Sequence, residues 1–294
     1  MKQVTIARRV QSVGIGLHKG EPIQITLDPL EANSGIVFYR SDIGMSVKAE
    51  PTSVVNTQMA TVIGDGKHYI STIEHLLSAI YSYGIDNILI TLDAAEVPIM
   101  DGSGASFCMM LDDAGRRVLE ENKSVFIIKK EVIIHDGEKF VKVSPSNNPT
   151  YDFMIDFSHP VIGKQEYSFE FSRQNYIDHI SRARTFGFMQ DVQYLRSKGL
   201  ALGGSLENAI VMDDKKILNP EGLRFPLEFV RHKILDAIGD LALLGAPVIG
   251  SYASLAGSHN LNHLLTKAIL ADPNNFERRA LANENEFELA GVFA

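Results

Sequence analysis

The order of secondary structure along this chain is its strongest constraint on fold, because short strands followed by helices occur twice. Residues 4–62 contain β-type segments separated by Gly, Pro, Asn and Asp, and helical spacing begins only at residues 71–83. After the polar stretch 120–123 the strand segments restart, and helical patterns follow them again. We therefore predict an α+β fold of two similar domains, each a β-sheet packed with helices.

Chain length agrees with this division. A chain of 294 residues is long for one hydrophobic core, since single cores tend to stop growing beyond about 250 residues. We predict an N-terminal domain over residues 1–123, a C-terminal domain over 124–271 and a polar tail over 272–294. The sequence leaves open whether that tail is frayed or docked.

The hydrophobic patterns predict individual elements in both halves. In the first half we predict strands at 23–27, 35–39 and 87–92, and helices at 71–83 and from 104 to about 121. In the second half we predict strands at 125–135, 139–143, 151–157, 167–171, 209–212 and 248–254, and helices at 173–183, 191–198 and 226–244.

Charge and cysteine usage narrow the possible partners and chemistry. The net charge is −8 and no basic run interrupts it, which disfavours nucleic acid as a partner. Cys108 is the only cysteine, so any metal must bind His and carboxylate side chains. The N-terminus lacks the apolar core of a signal peptide, and no apolar run approaches the roughly 20 residues of a membrane span. We expect a cytoplasmic protein.

The first candidate for chemistry is the segment 71–75 at the start of a predicted helix. Ser71 and Glu74 have the spacing of a capping box, in which the glutamate only caps the helix. Alternatively, the adjacent Glu74 and His75 place a base beside a metal ligand. A carboxylate close to a metal-activated water accepts its proton and later delivers it to a leaving amine. The residues alone leave both interpretations open.

The second candidate is a polar stripe on the longest predicted helix. His232, Asp236 and Asp240 are each four residues apart, so they share one helix face. Two ligands at this spacing can bind one metal ion, although an isolated pair of this kind usually lies on a solvated face. The apolar residues around the stripe favour an internal cleft. A carboxylate buried there needs a partner, and a divalent metal is one.

Two shorter segments offer further groups. Residues 256–263 contain His259 and His263, either of which could supply a proton or simply be exposed. Residues 182–188 offer the hydroxyl of Thr185 and the ring of Phe186 where a helix is predicted to end. The residues alone do not choose among these roles.

In this order, these segments resemble the bacterial UDP-3-O-acyl-N-acetylglucosamine deacetylase family, the zinc amidases of the committed step of lipid A synthesis. The resemblance covers nearly the whole chain, with matching motifs at residues 14–18, 71–76, 98–103, 182–188, 208–211, 223–225 and 232–240. It implies two stacked α+β domains that form a sandwich with the active site between them. It also implies an apolar passage for an acyl chain in the second domain.

The resemblance implies a zinc ion bound by His75, His232 and Asp236, with a fourth position left open as catalytic sites require. It makes Glu74 the general base. Whether Glu74 alone or together with His259 transfers the protons stays open.

The resemblance also implies roles for residues around the metal. His259 would be a protonated partner that stabilises the oxyanion or protonates the leaving amine, and Asp240 would orient it. Thr185 would donate a hydrogen bond to the oxyanion. Three residues are similar to family residues that contact the sugar nucleotide or line its site, namely Lys233, Phe186 and His18.

The implied reaction removes the N-acetyl group from UDP-3-O-(3-hydroxyacyl)-N-acetylglucosamine and releases acetate. We expect a monomer that makes at most transient contact with the inner-membrane surface. Two alternatives remain open: a zinc amidase for another acylated sugar, and a non-catalytic sugar-nucleotide or lipid-binding protein with structural histidines.

Overall fold

Helices and β-sheets occur together in this protein, which confirms the predicted α+β class. The computed structural model describes residues 1–282. Within that range the α-helices are α1 Glu74–Ser82, α2 Ala105–Ala114, α3 Arg173–His179, α4 Met189–Ser197, α5 Glu228–Leu241 and α6 His259–Ala271. Short 3-10 helices lie at Pro51–Ser53 and Ala242–Leu244. No described helix is long and apolar enough to cross a membrane.

Strands are distributed over both halves of the described chain. The first ten are β1 Lys2–Ile6, β2 Val10–Ile15, β3 Pro22–Pro29, β4 Ile36–Arg40, β5 Met45–Lys48, β6 Val54–Asn56, β7 Val62–Gly64, β8 Tyr69–Ile70, β9 Ile88–Leu92 and β10 Arg116–Asn122. The others are β11 Ser124–Ile128, β12 Val132–Asp136, β13 Lys139–Ser144, β14 Thr150–Asp156, β15 Lys164–Glu170, β16 Phe186–Phe188, β17 Ile210–Met212, β18 Val248–Ile249, β19 Ser251–Leu255 and β20 Phe276–Ala280.

Two five-stranded sheets share one strand order. The first runs β2-β3-β9-β4-β5 and the second β12-β13-β19-β14-β15. In each sheet the middle strand, β9 or β19, comes last in the chain. It pairs antiparallel with the second strand of the first hairpin, β3 or β13, and parallel with the first strand of the second hairpin, β4 or β14. The common order supports the interpretation of two similar halves, and the boundary at residue 123 stays a prediction.

Several predicted elements differ from the structure. The strand predicted at 248–254 is two strands, β18 and β19, which belong to different sheets, and the helix predicted at 173–183 ends at His179. The helix predicted to run to about residue 121 ends at Ala114, because Gly115 adopts a φ of 66° that a right-handed helix cannot continue through. Residues 116–122 instead form β10, which pairs with β1. The single strand predicted at 125–135 is two strands, β11 and β12, interrupted at residues 129–131.

The predicted tail begins as part of a sheet. Strand β20 pairs antiparallel with β11, and the amino group of Met1 donates a hydrogen bond to the carbonyl of Leu281 at 2.7 Å. Leu281 is buried. Residues 272–282 are therefore docked, since β20 covers the edge that β11 would otherwise expose. Residues 283–294 of the predicted tail lie outside the described range.

Helices α1 and α5 pack closely together at the centre of the described chain. Every residue of α1 is buried, as are twelve of the fourteen residues of α5. Gly239 makes the approach possible. A Cβ at this position would lie 2.0 Å from the carbonyl oxygen of Glu74. A glycine in the middle of a helix, normally unfavourable, is thus required here by the backbone it faces.

We predict that Gly239→Ala separates the two helices. Alanine favours the helix by about 1 kcal/mol, but an overlap with rigid backbone exceeds the usual overpacking cost of about 1–3 kcal/mol. The free energy of unfolding should therefore fall by at least about 2 kcal/mol in denaturant titrations. The control is Gly187→Ala, whose new Cβ would meet its nearest atom at 3.9 Å. Equal stability of Gly239→Ala and the parent protein would contradict this account.

Candidate metal centre and catalytic site

Three predicted ligands, one from α1 and two from α5, converge where these helices meet. One possible ligand atom from each of His75, His232 and Asp236 lies within 4.8 Å of the others. The Nε2 atoms of the two histidines are 3.5 and 3.4 Å from Oδ1 of Asp236. All three side chains are buried. The polar stripe of α5 therefore faces an internal cleft, and the alternative of a solvated helix face is wrong.

The bonding of these side chains fits a divalent cation. Nδ1 of His232 lies 3.0 Å from the carbonyl of Ala183, which suits an N–H donor there and a lone pair on Nε2. Oδ1 of Asp236 is buried, and no hydrogen-bond partner for it occurs among the described residues. Such an orphaned carboxylate oxygen beside two imidazoles is explained by a metal ion. The donor set of two imidazoles and one carboxylate suits a catalytic zinc.

The electrostatics of the cleft keep these groups in the protonation states that bind metal. Burial lowers the pKa of His232 to about 4, although Asp236 opposes the shift. Its imidazole is therefore neutral at pH 7, as a ligand must be. Burial alone would raise the pKa of Asp236, but His232 and Lys233 outweigh it and hold that pKa well below its usual range. The carboxylate stays ionised.

Glu74 does not form the capping box that its spacing suggested. The N-cap of α1 is Ile73, without a side-chain cap, and the amide of Ser71 donates instead to the carbonyl of Ala95. The carboxylate of Glu74 accepts a 3.0 Å hydrogen bond from the amide of Thr61. Burial raises the pKa of Glu74. A buried carboxylate of raised pKa, next in sequence to a candidate ligand, has the properties of a general base.

His259 pairs with the last carboxylate of the polar stripe. Its Nδ1 lies 2.9 Å from Oδ2 of Asp240. The same oxygen accepts a 2.8 Å hydrogen bond from the side-chain amide nitrogen Nδ2 of Asn262. Burial alone would lower the pKa of His259, but Asp240, together with Glu74 and Asp236, outweighs burial and raises that pKa to about 9. His259 is thus protonated at pH 7. His263 lies one turn further along α6, and burial lowers its pKa.

Two further predicted residues lie at the start of β16, where Thr185 directly precedes the strand and Phe186 begins it. The amide of Thr185 donates to the carbonyl of Gly102 at 2.8 Å, and its carbonyl accepts from Ile210 at 2.8 Å. The ring of Phe186 lies 6.3 Å from that of His232. Thr185 is therefore held by its backbone beside an aromatic residue that contacts the centre.

A buried ion pair fixes the chain just before Thr185 to α5. The guanidinium and the amide of Arg184 both donate to Oε1 of Glu228, at 2.9 and 3.1 Å. Arg184 is 2% exposed and Glu228 is fully buried. Removing one partner of such a pair leaves an uncompensated buried charge. The pair therefore fixes the position of the backbone that leads into Thr185.

The two remaining predicted residues lie in different surroundings. Lys233 donates a 2.8 Å hydrogen bond to Oδ2 of Asp236, the oxygen opposite the one near the histidines. His18 lies elsewhere: its amide donates to the carboxylate of Glu96 at 3.0 Å, and it lines a cavity of about 430 Å³ with Met59 and Tyr69. A substrate contact for His18 stays a prediction.

Sequence reasoning missed two residues that organise the site. Thr61 bonds both Glu74 and Asp240, and Asn262 bonds Asp240 from the other side. Thr61 lay in a segment whose only signal was β alternation. Asn262 lay inside the segment 256–263 but carried no spacing that distinguished it.

Two imidazoles around one carboxylate oxygen, with a second carboxylate and a histidine–aspartate pair beside them, define a candidate centre of the metal-dependent hydrolase class. The family model for UDP-3-O-acyl N-acetylglycosamine deacetylase matches residues 3–271. The chain belongs to this family, which confirms the resemblance recognised in its motifs.

Curated relatives match over their whole length. The chain is 64% identical over 294 residues, which is 100% of both chains, to proteins named UDP-3-O-acyl-N-acetylglucosamine deacetylase from Campylobacter hominis and from Campylobacter fetus subspecies fetus. It is 62% identical over the same extent to the protein of that name from Campylobacter curvus.

The pairing of His259 with Asp240 predicts a pH-dependent contribution to stability. Because the pKa of His259 is raised from 6.5 to about 9 on folding, the contribution is fully present below pH 6.5 and is lost as the pH rises through 9. Its size is on the order of 3 kcal/mol. We predict that Asp240→Asn lowers the pKa of His259 well below 9, because the carboxylate that opposes burial most strongly is removed while Glu74 and Asp236 remain.

Imidazole NMR titration of the metal-free protein measures this pKa directly. The control Asp152→Asn removes an equal charge from an exposed position on β14 and should leave the titration of His259 unchanged. An Asp240→Asn protein in which His259 still titrates near pH 9 would contradict the assigned cause.

Proposed function

We propose that this protein removes the N-acetyl group from UDP-3-O-(3-hydroxyacyl)-N-acetylglucosamine, releasing acetate and UDP-3-O-(3-hydroxyacyl)-glucosamine in the committed step of lipid A biosynthesis. The observation that carries the proposal is the convergence of His75, His232 and Asp236 next to Glu74, in a chain that belongs to this deacetylase family. The names of the full-length relatives agree with that substrate.

We assign zinc as the metal and His75, His232 and Asp236 as its ligands. The two neutral imidazoles and the ionised carboxylate supply the nitrogen and oxygen donors that zinc prefers, and Cys108 lies apart from them. When bound, zinc polarises a carbonyl group and lowers the pKa of water. Lys233, on the second oxygen of Asp236, orients that carboxylate.

Glu74 acts as the general base in this proposal. The amide of Thr61 holds its Oε2 at 3.0 Å, which fixes the plane of the carboxylate. We assign Oε1 as the atom that accepts the proton of the attacking water. Burial raises the pKa of Glu74 toward working pH, so the carboxylate is a stronger base than an exposed glutamate.

His259 and Thr185 act on the other side of the reacting amide. The imidazolium of His259, held by Asp240 at 2.9 Å, stabilises the oxyanion or donates a proton to the leaving amine. The hydroxyl of Thr185 donates a hydrogen bond to the oxyanion. Because Asp240 keeps His259 charged up to about pH 9, the acid is available at the pH where Glu74 is ionised.

The substrate's two ends require different surroundings. Lys233 offsets the negative charge of the diphosphate, and Phe186 and His18 contact or flank the sugar nucleotide. For the acyl chain we propose a passage beside β16. Between ring centroids, Phe157 lies 5.8 Å from Phe186 and 6.1 Å from Phe188. Two partly buried rings on β16 and a third beside it thus form an apolar cluster.

The cellular setting follows from the proposed substrate. An acylated UDP-sugar combines a charged group that stays in water with an apolar chain that favours a membrane surface. We propose that the protein is a cytoplasmic monomer that contacts this membrane transiently.

The test of this function is acetate release by purified protein. We expect release from the 3-O-acylated UDP-sugar and little from the same sugar without its acyl chain, because remote binding energy is used at the reacting amide.

Chelation should abolish release and added zinc should restore it. His232→Ala should lose the zinc that the exposed-site control His135→Ala retains. Chelator-insensitive activity would reject the zinc mechanism, and absent activity on this substrate would reject the function.

Glu74→Gln separates base catalysis from metal binding. The glutamine can still accept the hydrogen bond from Thr61 but cannot take a proton, so turnover should fall by roughly 10²–10⁴ with zinc retained. Elemental analysis and acetate release measure the two effects, with Glu166→Gln on β15 as an exposed control. A variant with near-normal turnover would remove Glu74 from its role.

A further inference from the structure

We propose that Thr61 is a positioning residue that holds the general base and the acid pair in one fixed geometry, through its amide on Glu74 and its hydroxyl on Asp240. The inference rests on the proposed roles of Glu74 and His259. Thr61 itself contacts neither the proposed ligands nor, in our assignment, the reacting atoms.

All three polar groups of Thr61 are used. Its amide donates to Oε2 of Glu74 at 3.0 Å, its hydroxyl donates to Oδ1 of Asp240, and its carbonyl accepts from the amide of Ile73 at 3.5 Å. Thr61 is 1% exposed. One buried residue thus joins the start of α1 to a carboxylate that lies 179 residues after Thr61 in the chain.

Asp240 is held on its other oxygen by α6. The amide of Asn262 and Nδ1 of His259 both lie within 2.9 Å of Oδ2. The hydroxyl of Tyr252 donates to Oδ1 of Asn262 at 2.7 Å, which turns the amide nitrogen of Asn262 toward Asp240. Among the contacts described, the other hydrogen bonds to the carboxylate of Asp240 come from α6. The hydroxyl of Thr61 is therefore the link between this carboxylate and the first half of the chain.

This link matters because the two proton-transfer groups come from different halves of the chain. Glu74 is carried by α1 and His259 by α6, and each must face the same amide from its own side. Small displacements of such groups cost large factors in rate. Without the hydroxyl of Thr61, Asp240 keeps only its bonds to α6, so Asp240 and His259 are no longer fixed relative to α1, while the backbone amide of Thr61 still holds Glu74.

Two substitutions separate the hydroxyl from the shape of the side chain. Thr61→Val keeps the branched shape and the amide but removes the hydroxyl, whereas Thr61→Ser keeps the hydroxyl. The matched control is Thr266→Val on α6, a fully buried threonine whose hydroxyl donates to the carbonyl of His263.

We predict that Thr61→Val lowers kcat about tenfold to a hundredfold. KM should change less than about twofold and zinc content should not change, because neither substrate nor metal is touched. Thr61→Ser should recover most of kcat, and Thr266→Val should match the parent protein.

A second readout does not depend on turnover. In the metal-free protein, the Nδ1 proton of His259 should give a downfield NMR signal from its hydrogen bond to Asp240, and Thr61→Val should move or broaden it. Unchanged kcat and an unchanged signal in Thr61→Val would overturn the proposal, as would a Thr61→Ser variant as impaired as Thr61→Val. If the parent protein releases no acetate, the proposed function itself fails. An active parent with an unimpaired Thr61→Val rejects only the role of Thr61.

Discussion

The site depends on one close contact between two buried helices. His75 lies on α1, whereas His232 and Asp236 lie on α5, so no single helix holds all three proposed ligands. The helices approach until residue 239 has no room for a Cβ against the carbonyl of Glu74. That contact aligns the second residue of α1 with the middle of α5. The candidate centre is thus a product of packing rather than of a flexible loop closing over a metal.

The same contact concentrates charge in a dry interior. Glu74, Asp236 and Asp240 are all buried, and each has a specific partner: Thr61, Lys233 and His259, respectively. Burial raises the pKa of Glu74, whereas charged neighbours depress that of Asp236. A raised pKa makes one carboxylate a better base, and a lowered pKa keeps the other ionised as a metal ligand. A site that contains both groups at one pH needs these opposite shifts. A bound dication would stabilise this arrangement further, so metal binding and folding should be linked.

Much of this fold was predictable from local patterns, because alternation and helical spacing report burial directly. The strands predicted at 23–27, 35–39 and 87–92 overlap β3, β4 and β9, and the polar stripe of α5 lies in a cleft as predicted. The errors arose where one residue or a distant partner decided the outcome. Gly115 ends α2 early, and β20 is a strand only because β11 offers it an edge. Gly115 is a local signal that should have ended the predicted helix, whereas the pairing of β20 with β11 is not visible in a short window of sequence.

The site shows the same division between local and distant information. Spacing identified His232 and Asp236, and adjacency identified Glu74 with His75, but sequence alone could not decide between a capping box and a base. Thr61 escaped notice because its importance comes from a partner 179 residues away.

X-ray absorption at the zinc edge tests the central claim most directly, because it reports the atoms that surround the metal in the purified protein. The account predicts a first shell of two imidazole nitrogens at about 2.0–2.1 Å with oxygen donors completing the site. The His75→Ala and His232→Ala proteins should lose zinc, and any zinc that they retain should show one imidazole nitrogen fewer. A shell of oxygen alone, or one unchanged when either histidine is removed, would contradict it.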